Sequence, residues 1–225
     1  MNLAFIFDLD GVIVDTAHYH YLAWNRLAKE MGFSFTPKDN ERLKGVSRMK
    51  ALDILLDIGG VKADSKERVR LADRKNRWYV EYLQTLDQSH LLPGAAAFLA
   101  ATRKMGIKTA LGSASKNART ILEKLSIQHA FDAVVDGTMT TKAKPDPEVF
   151  LLGAQMVSVS PGNCVVFEDA QAGIEAALKA GMTAVGIGSE EHLVSAALVV
   201  PSLAHLEPAA LLNQLHDIKQ AVLFK

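Results

Sequence analysis

The sequence lacks most of what marks a secreted, membrane-spanning or nucleic-acid-binding chain. It has one cysteine, Cys164, so no internal disulfide can form, and the apolar run around it reads as a buried strand with the thiol as a small core residue. No apolar run approaches the ~18 residues that span a bilayer. Leu3–Phe7 is strand-like from the start with no basic segment ahead of it, so no signal peptide is expected. Charge of one sign is missing too: 25 Lys+Arg balance 25 Asp+Glu, which leaves no basic excess for a phosphate backbone. A local basic pocket for one small phosphorylated ligand is compatible with that balance. Internal repeats and low-complexity segments are absent. These absences point to a cytoplasmic protein that engages neither membrane nor nucleic acid, and nothing argues for more than a monomer.

What is present is an ordinary globular composition, 49% hydrophobic and 22% charged over 225 residues, enough for a large core domain with a smaller one attached. Short apolar runs recur at Leu3–Phe7, Ile107–Gly112, Ala133–Val135, Cys164–Phe167 and Ala184–Ile187, with Ala197–Val200 as a sixth. Helical patterns separate most of them: Ala95–Met105, Ala118–Leu125, Pro147–Met156 and Gly173–Ala180. Buried runs alternating with helices predict a doubly wound parallel sheet, an α/β Rossmann-like core. Between the first strand and Pro93-Gly94 only helix signals occur. Thr16 can cap a helix to about Met31, Thr36-Pro37 opens a second that Gly45 stops, Ser47 opens a third ending near Gly59-Gly60, and Ser65 opens a long charged one to about Leu86. The expectation is a helical cap domain, residues 16–90, inserted into a catalytic core made of 1–15 and 91–225.

Candidate chemistry begins at Phe7-Asp8-Leu9-Asp10-Gly11. Two carboxylates two residues apart stand where an apolar strand ends, the edge at which open parallel sheets bind ligands. Close carboxylates repel, and a cation between them resolves the repulsion. A DxDG alone is equally a pair of turn-capping aspartates. Three further strand ends carry compatible groups. Gly112-Ser113-Ala114-Ser115 offers small residues and hydroxyls suited to phosphate. Lys142-Ala143-Lys144-Pro145 places a lysine ahead of a helix. Glu168-Asp169 follows a buried strand with two acids suited to a hard cation. His90, His129, His192, His205 and His216 show no ligand-like spacing and are expected on the surface or in packing.

Taken together, Asp8/Asp10, Ser113, Lys144 and Glu168/Asp169 resemble the four motifs of the haloacid dehalogenase-like hydrolase superfamily. That resemblance implies that Asp8 attacks a phosphoryl group and becomes an aspartyl phosphate, while Asp10 is general acid and base. It implies Mg²⁺ as cofactor, held by Asp8, the backbone carbonyl of Asp10, and Asp169, with Glu168 close by. It gives Ser113 and Lys144 the transferring phosphoryl oxygens.

In the cap, His20 and Trp24 share a helix face at i and i+4. Lys44-Gly45-Val46-Ser47-Arg48 can grip a phosphate with backbone N–H, hydroxyl and guanidinium. These segments, with Arg74-Lys75-Asn76 and Ser113-Ala114-Ser115-Lys116-Asn117, resemble the beta-phosphoglucomutases within the superfamily. The resemblance runs from about residue 3 to 190. It implies that Arg48 holds the substrate's non-reacting phosphate, with Ser115, Lys116 and Asn117 lining the same region, and that His20 and Lys75 orient Asp10. The expected reaction is interconversion of beta-D-glucose 1-phosphate and glucose 6-phosphate through a 1,6-bisphosphate. A sugar-phosphate phosphatase on the same scaffold is the alternative, and a catalytically silent sugar-phosphate binding protein is a third reading.

Overall fold

The computed structural model describes residues 2–43 and 46–223. Six parallel strands form one sheet in the order β3-β2-β1-β4-β5-β6: β1 Ala4–Phe7, β2 Lys108–Gly112, β3 Ala133–Val135, β4 Cys164–Glu168, β5 Thr183–Ile187 and β6 Leu198–Val200. Core helices α5 Ala95–Lys104, α6 Ala118–Lys124, α7 Glu148–Met156, α8 Gln171–Lys179 and α9 Pro208–Leu223 connect and flank them. The strands are short and apolar on both faces because both faces are covered. Along β1, Phe5 and Phe7 pack with Phe98 and Phe167 on one side, where the Phe7 and Phe167 rings stack at 4.7 Å. Ala4 and Ile6 turn the other way, into a cluster with Ala110, Phe150 and Val166. Each buried phenylalanine there is worth ~3–5 kcal/mol against alanine, so the middle strand is fixed at the centre of the molecule.

Register matters more than content. Phe7 lies level with Leu111 of β2 and Phe167 of β4. Asp8, Gly112 and Glu168, each one residue on, therefore stand side by side at the sheet's carboxyl edge. The amide of Asp8 donates to the carbonyl of Phe167 at 2.9 Å, which extends the pairing into the loop.

Between β1 and α5 the described residues form four α-helices: α1 Ala17–Glu30, α2 Pro37–Glu41, α3 Arg48–Gly59 and α4 Ser65–Tyr82. They bury their own apolar side chains, among them Trp24, Leu27, Leu52, Leu55, Leu71 and Tyr79. The two chain crossings that join this helical insert to the core lie together, with Val14 bridged to Leu91 and the Leu92 amide donating to Ile13 O at 2.9 Å.

Several helix boundaries differ from the sequence reading. Thr36 does cap α2, in a reciprocal capping box with Asp39, and Ser47 accepts from the Lys50 amide at the start of α3. But α2 ends at Glu41, and Gly45, expected to stop it, lies outside the described residues together with Lys44. The long helix is capped by Asp64, whose carboxylate accepts from the Glu67 amide at 2.8 Å, so Ser65 is its first helical residue. At Thr16 the backbone is α-like (φ −100°, ψ −1°) and no side-chain cap forms. A capping side chain needs an extended backbone at that position, and the Thr16 hydroxyl is engaged elsewhere. No helix of the described residues is long and apolar enough to cross a membrane.

Candidate active site

A cleft of about 1120 Å³ lies between the sheet's carboxyl edge and the helical insert. Its floor is supplied by the loops after β1, β2 and β4 and by the segment ahead of α7. The Lys144 ammonium, 5% exposed, donates to Asp8 Oδ1 at 2.5 Å and to Glu168 Oε1 at 3.0 Å. The other oxygen of Glu168 accepts the Asp169 amide at 2.9 Å. Burial alone pulls the Lys144 ammonium down, but Asp8 and then Glu168 beside it hold it above the usual lysine range. Burial also pushes the Glu168 carboxyl well above the usual carboxylate range.

Side-chain oxygens of Asp8, Glu168 and Asp169 all lie within 4.8 Å of one another. Two glycines make that convergence possible. A Cβ on Gly11 (φ +81°) stands 2.0 Å from Asp169 Oδ2, and one on Gly173 stands 1.7 Å from Glu168 Oε1. Any side chain at either place drives an acid out of position. An all-oxygen, surplus-acid cluster suits a hard divalent cation, and the cradle fits one.

Asp10, also at the cleft, does not turn its carboxylate into this cluster. Its Oδ1 accepts from the Thr16 hydroxyl. Burial, reinforced by the Asp8 charge, raises its carboxyl to about 7. A carboxyl poised there can give and take a proton near neutrality. Beyond it, Ser113 is buried and its Oγ accepts the Ser115 amide at 3.0 Å. The Ser115 hydroxyl in turn accepts the Asn117 amide at 3.2 Å. Ala114, Ser115, Lys116 and Asn117 all face the cleft.

The roof comes from α1, α3 and α4. Lys75, 2% exposed, holds its ammonium 2.8 Å from His20 Nδ1, 4.5 Å from the Trp24 ring centre and 4.7 Å from that of Tyr79. Burial and the nearby Arg48 push the Lys75 ammonium well below the lysine range. Burial, then Lys75 and Arg48, hold His20 well below the usual imidazole range, which keeps the ring neutral and able to accept from the ammonium. Val46, Ser47 and Arg48 line the same wall. Burial lowers the Arg48 guanidinium too.

The structure thus brings together Asp8, Asp10, Lys144, Glu168 and Asp169 below, and His20, Trp24, Val46, Ser47, Arg48 and Lys75 above, with Ser113–Asn117 between; Gly45 lies outside the described residues. It adds residues that sequence reasoning passed over. Thr16 bonds Asp10, and Tyr79 packs its ring on His20 at 4.1 Å between centres. Gly173 clears room for Glu168, and a glycine inside a helix four residues after Asp169 was the available cue. Exposed His192 borders the cleft as well.

This fold and this acid–lysine–acid floor define a class, and the chain belongs to it: the haloacid dehalogenase-like hydrolase family, whose model matches residues 3–181. More particular likenesses exist. A beta-phosphoglucomutase of Bacillus subtilis (strain 168) is 45% identical over 205 residues, covering 90% of this chain and 91% of its own. The crystal structure of a beta-phosphoglucomutase from Clostridium difficile superposes with a TM-score of 0.92 at 43% identity, over 96% of this chain and 98% of that one. A phosphorylated carbohydrates phosphatase of Thermotoga maritima is 32% identical over 220 residues, 96% of this chain and 99% of its own.

Proposed function

We propose that the chain is a beta-phosphoglucomutase, interconverting beta-D-glucose 1-phosphate and glucose 6-phosphate through an aspartyl phosphate on Asp8 and a 1,6-bisphosphate. The observation that carries this reading is Arg48, which shares one cleft with the nucleophile and with Ser115, Lys116 and Asn117. Simple phosphatase chemistry uses the floor. A ligand with a phosphate at each end uses floor and roof at once, in either of two orientations.

On this reading Asp8 Oδ attacks the phosphorus of the bisphosphate. As the new O–P bond forms, the bond to the sugar oxygen breaks, and Asp10 gives that oxygen its proton. Glucose 6-phosphate leaves and beta-glucose 1-phosphate takes its place, phosphate at the roof and 6-hydroxyl at Asp8; the bisphosphate that the next step re-forms turns end for end before the cycle repeats. Asp10, now a carboxylate, removes the proton from the presented hydroxyl, which attacks the aspartyl phosphate and returns the phosphoryl group to sugar. Lys144 and Ser113 hold the transferring oxygens, and Arg48, Ser115, Lys116 and Asn117 hold the distal phosphate. Trp24 and the wall of Val46 and Ser47 exclude water, which otherwise cleaves the aspartyl phosphate.

Asp8, Asp169 and the Asp10 carbonyl would hold Mg²⁺, which would neutralise negative charge at Asp8 and the transferring phosphoryl group. Both oxygens of Glu168 already accept, from Lys144 and from the Asp169 amide, so its part is to orient those two. Residues 16–90 act as the cap that opens and closes over a core of 1–15 and 91–225. All of these groups come from one chain, which makes the monomer the catalytic unit, and the one buried cysteine fits the reducing cytoplasm.

The test follows the phosphoryl group into the protein. Incubated with Mg²⁺ and beta-glucose 1,6-bisphosphate, the wild type should yield glucose 6-phosphate and a phosphoprotein that Asp8→Asn never forms. Phosphorylation that persists in Asp8→Asn, or none on any sugar bisphosphate, rejects the mechanism.

A further inference from the structure

Both ends of one short core helix are stitched to the cap. At its start, Asn117 Nδ2 donates to Asn76 Oδ1 of α4 at 3.0 Å. At its end, Lys124 Nζ donates to Gln84 Oε1 at 2.8 Å, in the 3-10 turn Leu83–Thr85 that continues α4. Asn76 and Gln84 are eight residues apart, a span of ~12 Å at helical rise, so α6 lies alongside the second half of α4 with a side-chain bond at each end. Asn76 follows Lys75 in sequence and, like Asn117, borders the cleft.

A carboxamide has two donor hydrogens and one acceptor oxygen, and it can present either end to a ligand. Asn76 accepts one hydrogen of the Asn117 amide. With Asn76 as the acceptor, the second hydrogen of the Asn117 amide is left for another acceptor. From these contacts we infer that Asn76 is a positioning residue: it orients the Asn117 carboxamide so that its N–H faces the distal phosphate, and it does so across the cap–core gap. Arg48 comes from the cap and Asn117 from the core, so the Asn76–Asn117 bond registers the two halves of the distal phosphate site against each other. This rests on the mutase reading, in which Asn117 meets that phosphate. Lys124–Gln84, remote from the ligand, sets the same register from the far end of α6.

The consequence is a split between substrates. Acetyl phosphate offers Asp8 a phosphoryl group and has no distal phosphate, whereas on the mutase reading beta-glucose 1-phosphate is read at both ends. Asn76→Ala should lower kcat/KM for beta-glucose 1-phosphate by about tenfold, chiefly through KM, as loss of one aligned charge-assisted hydrogen bond does. The loss on acetyl phosphate should be several-fold smaller. Asn117→Ala should show the same split, and the double variant should be no worse than Asn117→Ala alone. Asn76→Asp keeps the acceptor and should retain more activity at low sugar phosphate than Asn76→Leu, which is similar in size. Equal losses on both substrates, or losses that multiply in the double variant, overturn the positioning role while leaving a mutase in place. A wild type that makes no glucose 6-phosphate overturns both.

Discussion

On the floor of the cleft one ammonium, Lys144, stands among the carboxyl groups of Asp8, Glu168 and Asp169; on the roof, Lys75 and Arg48 stand together against aromatic rings and a neutral histidine. The two lysines are equally buried and shift in opposite directions. Lys144 is held above the lysine range by acids in contact with it, and Lys75 is pushed below it by burial and by Arg48. The floor therefore holds more acid than base, while the roof sets Arg48 and Lys75 against Asp73 and Asp10 at longer range. A divalent cation completes the first and a phosphate the second; with the cation in place the floor can take a phosphate as well. A binding site need not be neutral when empty; here the imbalance of each half specifies what fills it.

The sharpest way to break this contrast is to remove the two lysines separately. Lys144→Met leaves Asp8 and Glu168 facing each other without their shared cation and should destabilise the protein by ~3–5 kcal/mol in urea unfolding without metal. Lys75→Met removes a cation already disfavoured where it sits, and stability should stay within about 1 kcal/mol of wild type or rise. Similar losses for both lysines contradict the charge account. Next in size is Arg48→Ala: kcat/KM for beta-glucose 1-phosphate should fall about 100-fold, at least tenfold more than for acetyl phosphate.

On the floor, Gly173→Ala places a Cβ 1.7 Å from Glu168 Oε1. Mg²⁺ affinity by calorimetry should drop about 10–100-fold. Gly153→Ala, whose Cβ meets its nearest neighbour at an ordinary 3.6 Å, should bind Mg²⁺ as the wild type does.

The smallest effect is on pH. Priming of Asp8 by the bisphosphate needs Asp10 protonated, and in the unphosphorylated enzyme its carboxyl is raised to about 7. The priming rate should be level below that pH and fall about tenfold per unit above it. A rate that instead rises through pH 7 gives Asp10 the opposite role in this step.

The floor was the more legible half in the sequence, and the reason is physical. A parallel strand buried on both faces must be a short apolar run, so the acids, serine and lysine that follow such runs announce the sheet's carboxyl edge; sheet register then aligns Asp8 with Glu168. The roof showed its residues but not its arrangement, because helices in a small cap are set by packing angles that periodicity does not encode. Thr16 illustrates the limit. A threonine before a helix reads as a cap, yet its hydroxyl bonds Asp10, six residues back, because the chain turns through Gly11 between them. Asp64 out-competes Ser65 as a cap by one position, a distinction that rests on backbone angles rather than residue type. Asn76 and Asn117 are 41 residues apart, and nothing local to either marks the contact.

The central claim, that the roof is a phosphate site and so makes a mutase of a hydrolase floor, is tested most directly by product partition. Wild type with Mg²⁺, beta-glucose 1-phosphate and a trace of the 1,6-bisphosphate should give glucose 6-phosphate in large excess over free phosphate, and Arg48→Ala should shift that ratio toward free phosphate. Free phosphate and glucose as the main wild-type products, with a ratio indifferent to Arg48, contradict it.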